Sequence, residues 1–219
     1  MPTKKLFWED PYIKECTSKI TKIQDGRIYL DQTIFYAFSG GQESDAGQIQ
    51  GAKVIEAKKE IDDISYLLDP NNQILSTFKL GDTVNVEIDW EKRFRIMRLH
   101  STAHIVFRLL EVKFNIKDVI GSNITSDKAR LDFLYPENMS PYLEDILNST
   151  KKLIQSNLPI KTYYDEIDNS KRVWQLADFP DWKMFCAGTH VKSTGEIGEI
   201  ILKRKNIGQG KERIEIILI

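Results

Sequence analysis

Cysteine and histidine are scarce in this chain, two of the first and three of the second in 219 residues. Cys16 and Cys186 stand far apart in sequence, so no disulfide framework is expected, which suits a reducing cytosol. An excess of one charge is missing too: 31 Lys and Arg face 32 Asp and Glu, for a net charge of −1. The molecule is therefore no polycation, and any nucleic-acid surface has to be a local patch. No apolar run is long enough to span a bilayer, and the opening residues 1–10 lack the apolar core of a secretory signal. The expectation is a cytoplasmic protein without a membrane partner. Neither a dinucleotide fingerprint nor a phosphate-binding loop is present, so no ATP is expected. There is no internal repeat and no low-complexity linker, and no feature speaks to oligomeric state. A chain of this length holds one large or two small domains with proper cores.

The scarce residues are concentrated. His100 and His104 are four apart, and Cys186 and His190 repeat that spacing. These two pairs take all three histidines and one of the two cysteines. Residues 91–112 carry Ile96, Leu99, Ala103, Val106 and Leu110 in steps of three and four, the stripe of a core-facing helix. Four residues is about one helical turn, so both imidazoles leave the helix on one side. Three His and one Cys form a plausible zinc set. Ser101 follows the first histidine where the zinc proteases carry a glutamate base, which excludes that class. Four protein ligands would describe a closed structural ion and three plus water a catalytic one; the sequence leaves both open.

Around these pairs the chain changes character once. Residues 1–90 read as short strands: loose alternation over 12–23, an Asp25-Gly26 turn, then 27–30, 33–38, 52–58, 62–68, and the alternating Val84, Val86 and Ile88. This pattern predicts a small β-barrel. Residues 91–219 carry the long helix and a strand at 129–135. A second helix follows, capped by Ser140 with Pro141 at its first position and stopped by Pro159. A strand at 160–167 and a final pair near 197–205 and 212–218 complete the expectation. The fold class is α+β, a barrel domain (1–90) followed by an α/β sandwich (91–219).

Two further stretches have alternative readings. The loop Ser39–Gly47 is either a tight turn between strands or a close backbone approach to a ligand at Gly40 and Gly41, with Gln42 offering its amide. Lys203, Arg204, Lys205, Lys211 and Arg213 in the last hairpin are either a solvated surface or a phosphate-contacting patch.

Taken together, several of these stretches resemble one family. The pair His100-x-x-x-His104, the run Cys186-Ala187-Gly188-Thr189-His190-Val191, and Thr194-Gly195-Glu196-Ile197-Gly198 look like the editing domain of alanyl-tRNA synthetases and its free-standing relatives, the AlaX proteins. The loop from Tyr36 to Gly47 looks like the family's glycine-rich loop, and Gly121 and Arg130–Phe133 also match. Ala37, Ser39, Glu43 and Ala187 depart from the family pattern, whereas all four metal positions agree. The resemblance covers nearly the whole chain and is closest to the medium-length type, a barrel plus an editing core.

The resemblance implies a zinc-dependent hydrolase, with one Zn2+ per chain, that deacylates alanine tRNA wrongly charged with serine and, by extension, glycine. A binding pocket rejects serine or glycine only weakly in favour of alanine, so a second, hydrolytic sieve is needed. The sieve must spare alanine, and by resemblance Thr33 is the candidate reader of the serine hydroxyl. It implies His100, His104 and Cys186 as the firmest ligands, with His190 a ligand or within reach of water. Two rival classes are a zinc-stabilised RNA-binding module without catalysis and a zinc hydrolase of a small ester or amide.

Overall fold

Alternation shapes the first of two compact units, Met1–Arg93 and Phe94–Ile219. The computed structural model describes residues 2–219, with every side chain among them except those of Ile74 and Leu75. In the first unit six strands close a barrel: β1 (Glu15–Gln24), β2 (Arg27–Leu30), β3 (Gly47–Ile49), β4 (Ala52–Lys59), β5 (Ile64–Leu68) and β6 (Thr83–Ile88), in the order β1-β2-β5-β4-β3-β6. Val84, Val86 and Ile88 point inward and the residues between them outward, as period-two patterning requires. Closure removes the open edges that would otherwise invite aggregation. The β1–β2 turn sits at Asp25 and Gly26 with φ of 52° and 72°, the left-handed pair of a tight hairpin turn.

The strand expected over residues 33–38 is not formed; only Gln32–Thr33 pairs, in parallel with Lys4–Lys5. The reason is a buried ion pair. Asp45 accepts the Tyr36 N–H at 2.6 Å, and the Arg93 guanidinium donates to the Ile34 carbonyl at 2.7 Å and to Asp45. Backbone groups that would have entered a ladder are thus satisfied by side chains. Both charged side chains are fully buried. Gly47 completes this corner by close approach, since a Cβ there would lie 2.1 Å from the Glu87 carbonyl oxygen of β6.

Helix α1 spans Trp90–Phe114. In the second unit a four-stranded antiparallel sheet has the order β12-β13-β8-β7, from β7 (Val119–Ile124), β8 (Ala129–Leu134), β12 (Ile200–Gly208) and β13 (Lys211–Leu218). A second sheet holds β9 (Ile160–Tyr164), β10 (Arg172–Leu176) and β11 (Lys183–Phe185), all antiparallel. Helix α2 (Leu143–Gln155) buries Ile146, Thr150 and Ile154 at four-residue intervals. Ser140 does not cap it. That residue opens a 3-10 turn, Ser140–Tyr142, with Pro141 inside it, and the position before α2 is taken by Tyr142, which makes no side-chain capping bond. The last hairpin also begins later than expected. Residues Thr194–Ile197 form a 3-10 turn with a Ser193–Glu196 capping box, and Gly198 at φ 71° redirects the chain before β12 starts.

Candidate metal centre

The stripe on α1 is buried as its spacing predicts, with Ile96, Leu99, Val106 and Leu110 at 0% exposure. Burial extends further round the helix, to Met97, Ser101, Thr102 and Ile105. His100 and His104 therefore leave α1 inside the second unit, with their rings 4.7 Å apart. Cys186 follows β11 directly, and its N–H donates to the Arg172 carbonyl of β10 at 2.8 Å. His190 lies four residues on, in a segment tied to α1 by the Val191 N–H donating to the Ser101 hydroxyl at 3.2 Å. Trp174 of β10 closes the floor, its ring 4.9 Å from that of His104.

These elements bring the ligand atoms of His100, His104, Cys186 and His190 within 4.8 Å of one another. The nitrogens of His104 and His190 are 3.1 Å apart. The Cys186 sulfur is 3.5 Å from His100 Nε2 and 3.4 Å from His190 Nε2. On a tetrahedral zinc, the usual bond lengths put two nitrogens roughly 3.3 Å apart and a nitrogen and sulfur about 3.6 Å apart. Three of the donor pairs lie close to those spacings, and the four side chains together could hold a metal ion.

Electrostatics agrees. Burial pushes the His100 imidazole down to about 4. His104 and His190 lie well below the usual histidine range, first through burial and then through the neighbouring imidazoles. All three rings are neutral near pH 7 and offer lone pairs. Burial raises the Cys186 thiol to about 11, so a thiolate there would need a neighbouring cation to stabilise it.

A model of the threonyl and alanyl tRNA synthetase second additional domain matches residues 175–215, and one of class II (A) tRNA synthetases matches residues 7–92. The alanyl-tRNA editing protein AlaX-M of Pyrococcus horikoshii is 36% identical over 98% of this chain and 97% of its own length. AlaX-M of Saccharolobus solfataricus is 30% identical over 97% of each chain. The chain belongs to the AlaX-M alanyl-tRNA editing proteins. An alanine–tRNA ligase of Methanococcus maripaludis is 30% identical over 97% of this chain, which spans 26% of that enzyme.

Within this AlaX-type chain the other sequence candidates fall in different places. Thr33, Gly40, Gly41 and Gln42 belong to the first unit. Gly40 and Gly41, at φ 57° and 80°, make a tight turn in which Ser39 and Gln42 exchange two backbone hydrogen bonds. Gln42 is fully buried. The Thr33 hydroxyl is buried as well and accepts bonds from the Tyr66 hydroxyl at 2.7 Å and the Phe35 N–H at 3.0 Å. Burial raises the Tyr66 hydroxyl far above the usual range, which keeps it a donor.

In the last hairpin Arg204 pairs with Glu212, Lys205 with Glu215, and Arg213 with Asp132 at 2.7 Å. Lys203 and Lys211 have no ion pair among the described residues and are exposed. Three supporting residues escaped the sequence reading: Ser101, Arg172 and Trp174. The first two act through a hydroxyl and a backbone carbonyl that sequence does not flag. Trp174 stood in an aromatic stretch whose only signal was its nearness to Cys186.

Proposed function

We propose that this protein hydrolyses the ester linking a wrong amino acid to alanine tRNA, serine above all and glycine with it, using one zinc ion held by His100, His104, Cys186 and His190. Members of its family are hydrolases that deacylate mischarged tRNA. The observation that carries the zinc assignment is the meeting of four donor atoms within 4.8 Å in a chain aligned end to end with AlaX-M proteins.

A zinc ion in this set supplies Lewis-acid charge for polarising a carbonyl or activating water. The chain's own residues hold it in place: Ser101 and the Arg172 carbonyl anchor the segment from Cys186 to Val191, and Trp174 fixes the His104 ring. His190 completes the donor set, with its other ring nitrogen, Nδ1, buried and without a hydrogen-bond partner among the described residues.

Selectivity rests on Thr33. Its oxygen already accepts two bonds, so its proton is the remaining valence, suited to donate to a serine hydroxyl. The backbone of Gly40 and Gly41 in their tight turn is the candidate support for the substrate, with Gln42, whose own backbone groups are bonded to Ser39, offering its side-chain amide. Phosphate contacts fall first to Lys203 and Lys211, while Arg204, Lys205 and Arg213 order the hairpin through ion pairs with Glu212, Glu215 and Asp132 that balance their charge. The test is deacylation of serine-charged alanine tRNA before and after removal of metal by a chelator, with zinc restoring what the chelator takes away.

A further inference from the structure

The sheet β9-β10-β11 has Trp174 buried at the centre of one face and Val173 buried at the centre of the other, where the flanking side chains are partly or fully exposed. Thr162, Trp174 and Met184 share a row, and Trp174 on that face lies against His104. On the opposite face two rows run side by side. Tyr163, Val173 and Phe185 form one, and Lys161, Gln175 and Lys183 the other. Phe185 is 62% exposed, an apolar ring left in water. The Lys171 ammonium lies over one face of that ring, 5.0 Å from its centroid, which leaves the other face for a base. Tyr163 is half-buried, and its hydroxyl donates to Gln175 at 2.8 Å. Lys161 and Lys183 are exposed and have no acidic partner among the described residues. Lys171 is different, being paired with Asp168 at 3.1 Å.

Exposed rings beside unpaired cations on an open sheet are how proteins hold single-stranded nucleic acid: bases stack on the rings and phosphates meet the lysines. The rows lie roughly 7 Å apart along the strands, and the outer members of each are about 10 Å apart across the sheet. The ring row ends at Phe185, and the next residue is Cys186 of the metal cluster. Trp174 and the His104 ring it touches lie on the other face, so a strand of RNA crossing this one toward Phe185 has to turn round the end of β11 at Cys186 to reach the cluster.

We propose that this face is the platform for the single-stranded 3′ end of the substrate tRNA, with bases on Phe185 and Tyr163 and phosphates at Lys161 and Lys183. The inference rests on the tRNA-deacylase reading of the preceding subsection. Its experiment compares, by fluorescence anisotropy, binding of intact tRNA(Ala) and of the same tRNA trimmed of its unpaired 3′ nucleotides. Phe185→Ala should weaken intact tRNA by roughly five- to hundredfold while leaving the trimmed form and the zinc content unchanged. Phe185→Trp should restore binding, which a merely structural role would not do. The Lys161→Gln/Lys183→Gln pair should flatten the salt dependence for intact tRNA by about 1.4 units.

Equal loss on both tRNAs, or no loss on either, overturns the platform. So does a Phe185→Ala protein that binds tRNA normally but sediments differently, which would assign the face to a second copy of the chain. A wild-type protein that deacylates charged tRNA while Phe185→Ala binds like wild type overturns the platform alone. A wild-type protein that neither binds nor deacylates it overturns both readings.

Discussion

At the scale of single residues, the candidate donors are positioned by groups outside the set: the Ser101 hydroxyl accepts from Val191 N–H and the Arg172 carbonyl from Cys186 N–H. Replacing His104 or Cys186 with alanine should lower zinc from about one per chain to near none, measured by elemental analysis of folded protein. A folded wild-type protein that stays metal-free in added zinc would contradict the assignment. Thr33 carries a second prediction. Thr33→Val deletes the hydroxyl, so preference for serine over alanine, read as a ratio of kcat/KM, should fall about tenfold or more. The same change leaves the buried Tyr66 hydroxyl without its acceptor, and stability should drop by about 1–3 kcal/mol. Tyr66→Phe separates the effects, since it spares the Thr33 hydroxyl and should keep the selectivity ratio. An unchanged ratio in Thr33→Val would make that residue a structural one.

At the scale of elements, the glycine-rich loop and the last hairpin show why charge cannot be read from composition alone. Asp45, inside the loop, is bonded to Arg93 and Tyr36 and fixes the corner of the barrel. Asp45→Asn keeps the shape but leaves a buried guanidinium uncompensated, and should cost about 3–5 kcal/mol in denaturant unfolding. A change under about 1 kcal/mol would mean that the pair contributes little. In the hairpin, Lys203→Gln with Lys211→Gln should flatten the salt dependence of tRNA binding by about one to two units. An unchanged slope would return those lysines to a solvated surface.

The sequence showed these elements unevenly. Barrel strands and α1 follow their hydrophobic periods. The failed strand over 33–38 and the uncapped Ser140 depend on a long-range ion pair and on a 3-10 turn, neither of which a local pattern contains. The meeting of His100, His104, Cys186 and His190 was legible for the opposite reason: histidine and cysteine are rare here and recur at a four-residue spacing, so the cluster stands out without the fold. Arg172 and Ser101 were not, because a carbonyl and a hydroxyl look alike wherever they occur.

At the scale of the whole molecule, a barrel unit and an α+β unit are encoded in one chain that aligns over 97% of the length of AlaX-M from Pyrococcus horikoshii. No helix among the described residues is long and apolar enough to cross a membrane. The central claim is that this chain removes a wrong amino acid from alanine tRNA and leaves the right one. The direct measurement is single-turnover deacylation of Ser-tRNA(Ala), Gly-tRNA(Ala) and Ala-tRNA(Ala) by the zinc-loaded protein, beside the chelated protein. The account predicts fast release of serine, release of glycine, alanine spared by at least about tenfold, and loss of all activity on chelation with recovery in zinc. Equal rates for serine and alanine, or full activity after the metal is gone, would contradict it.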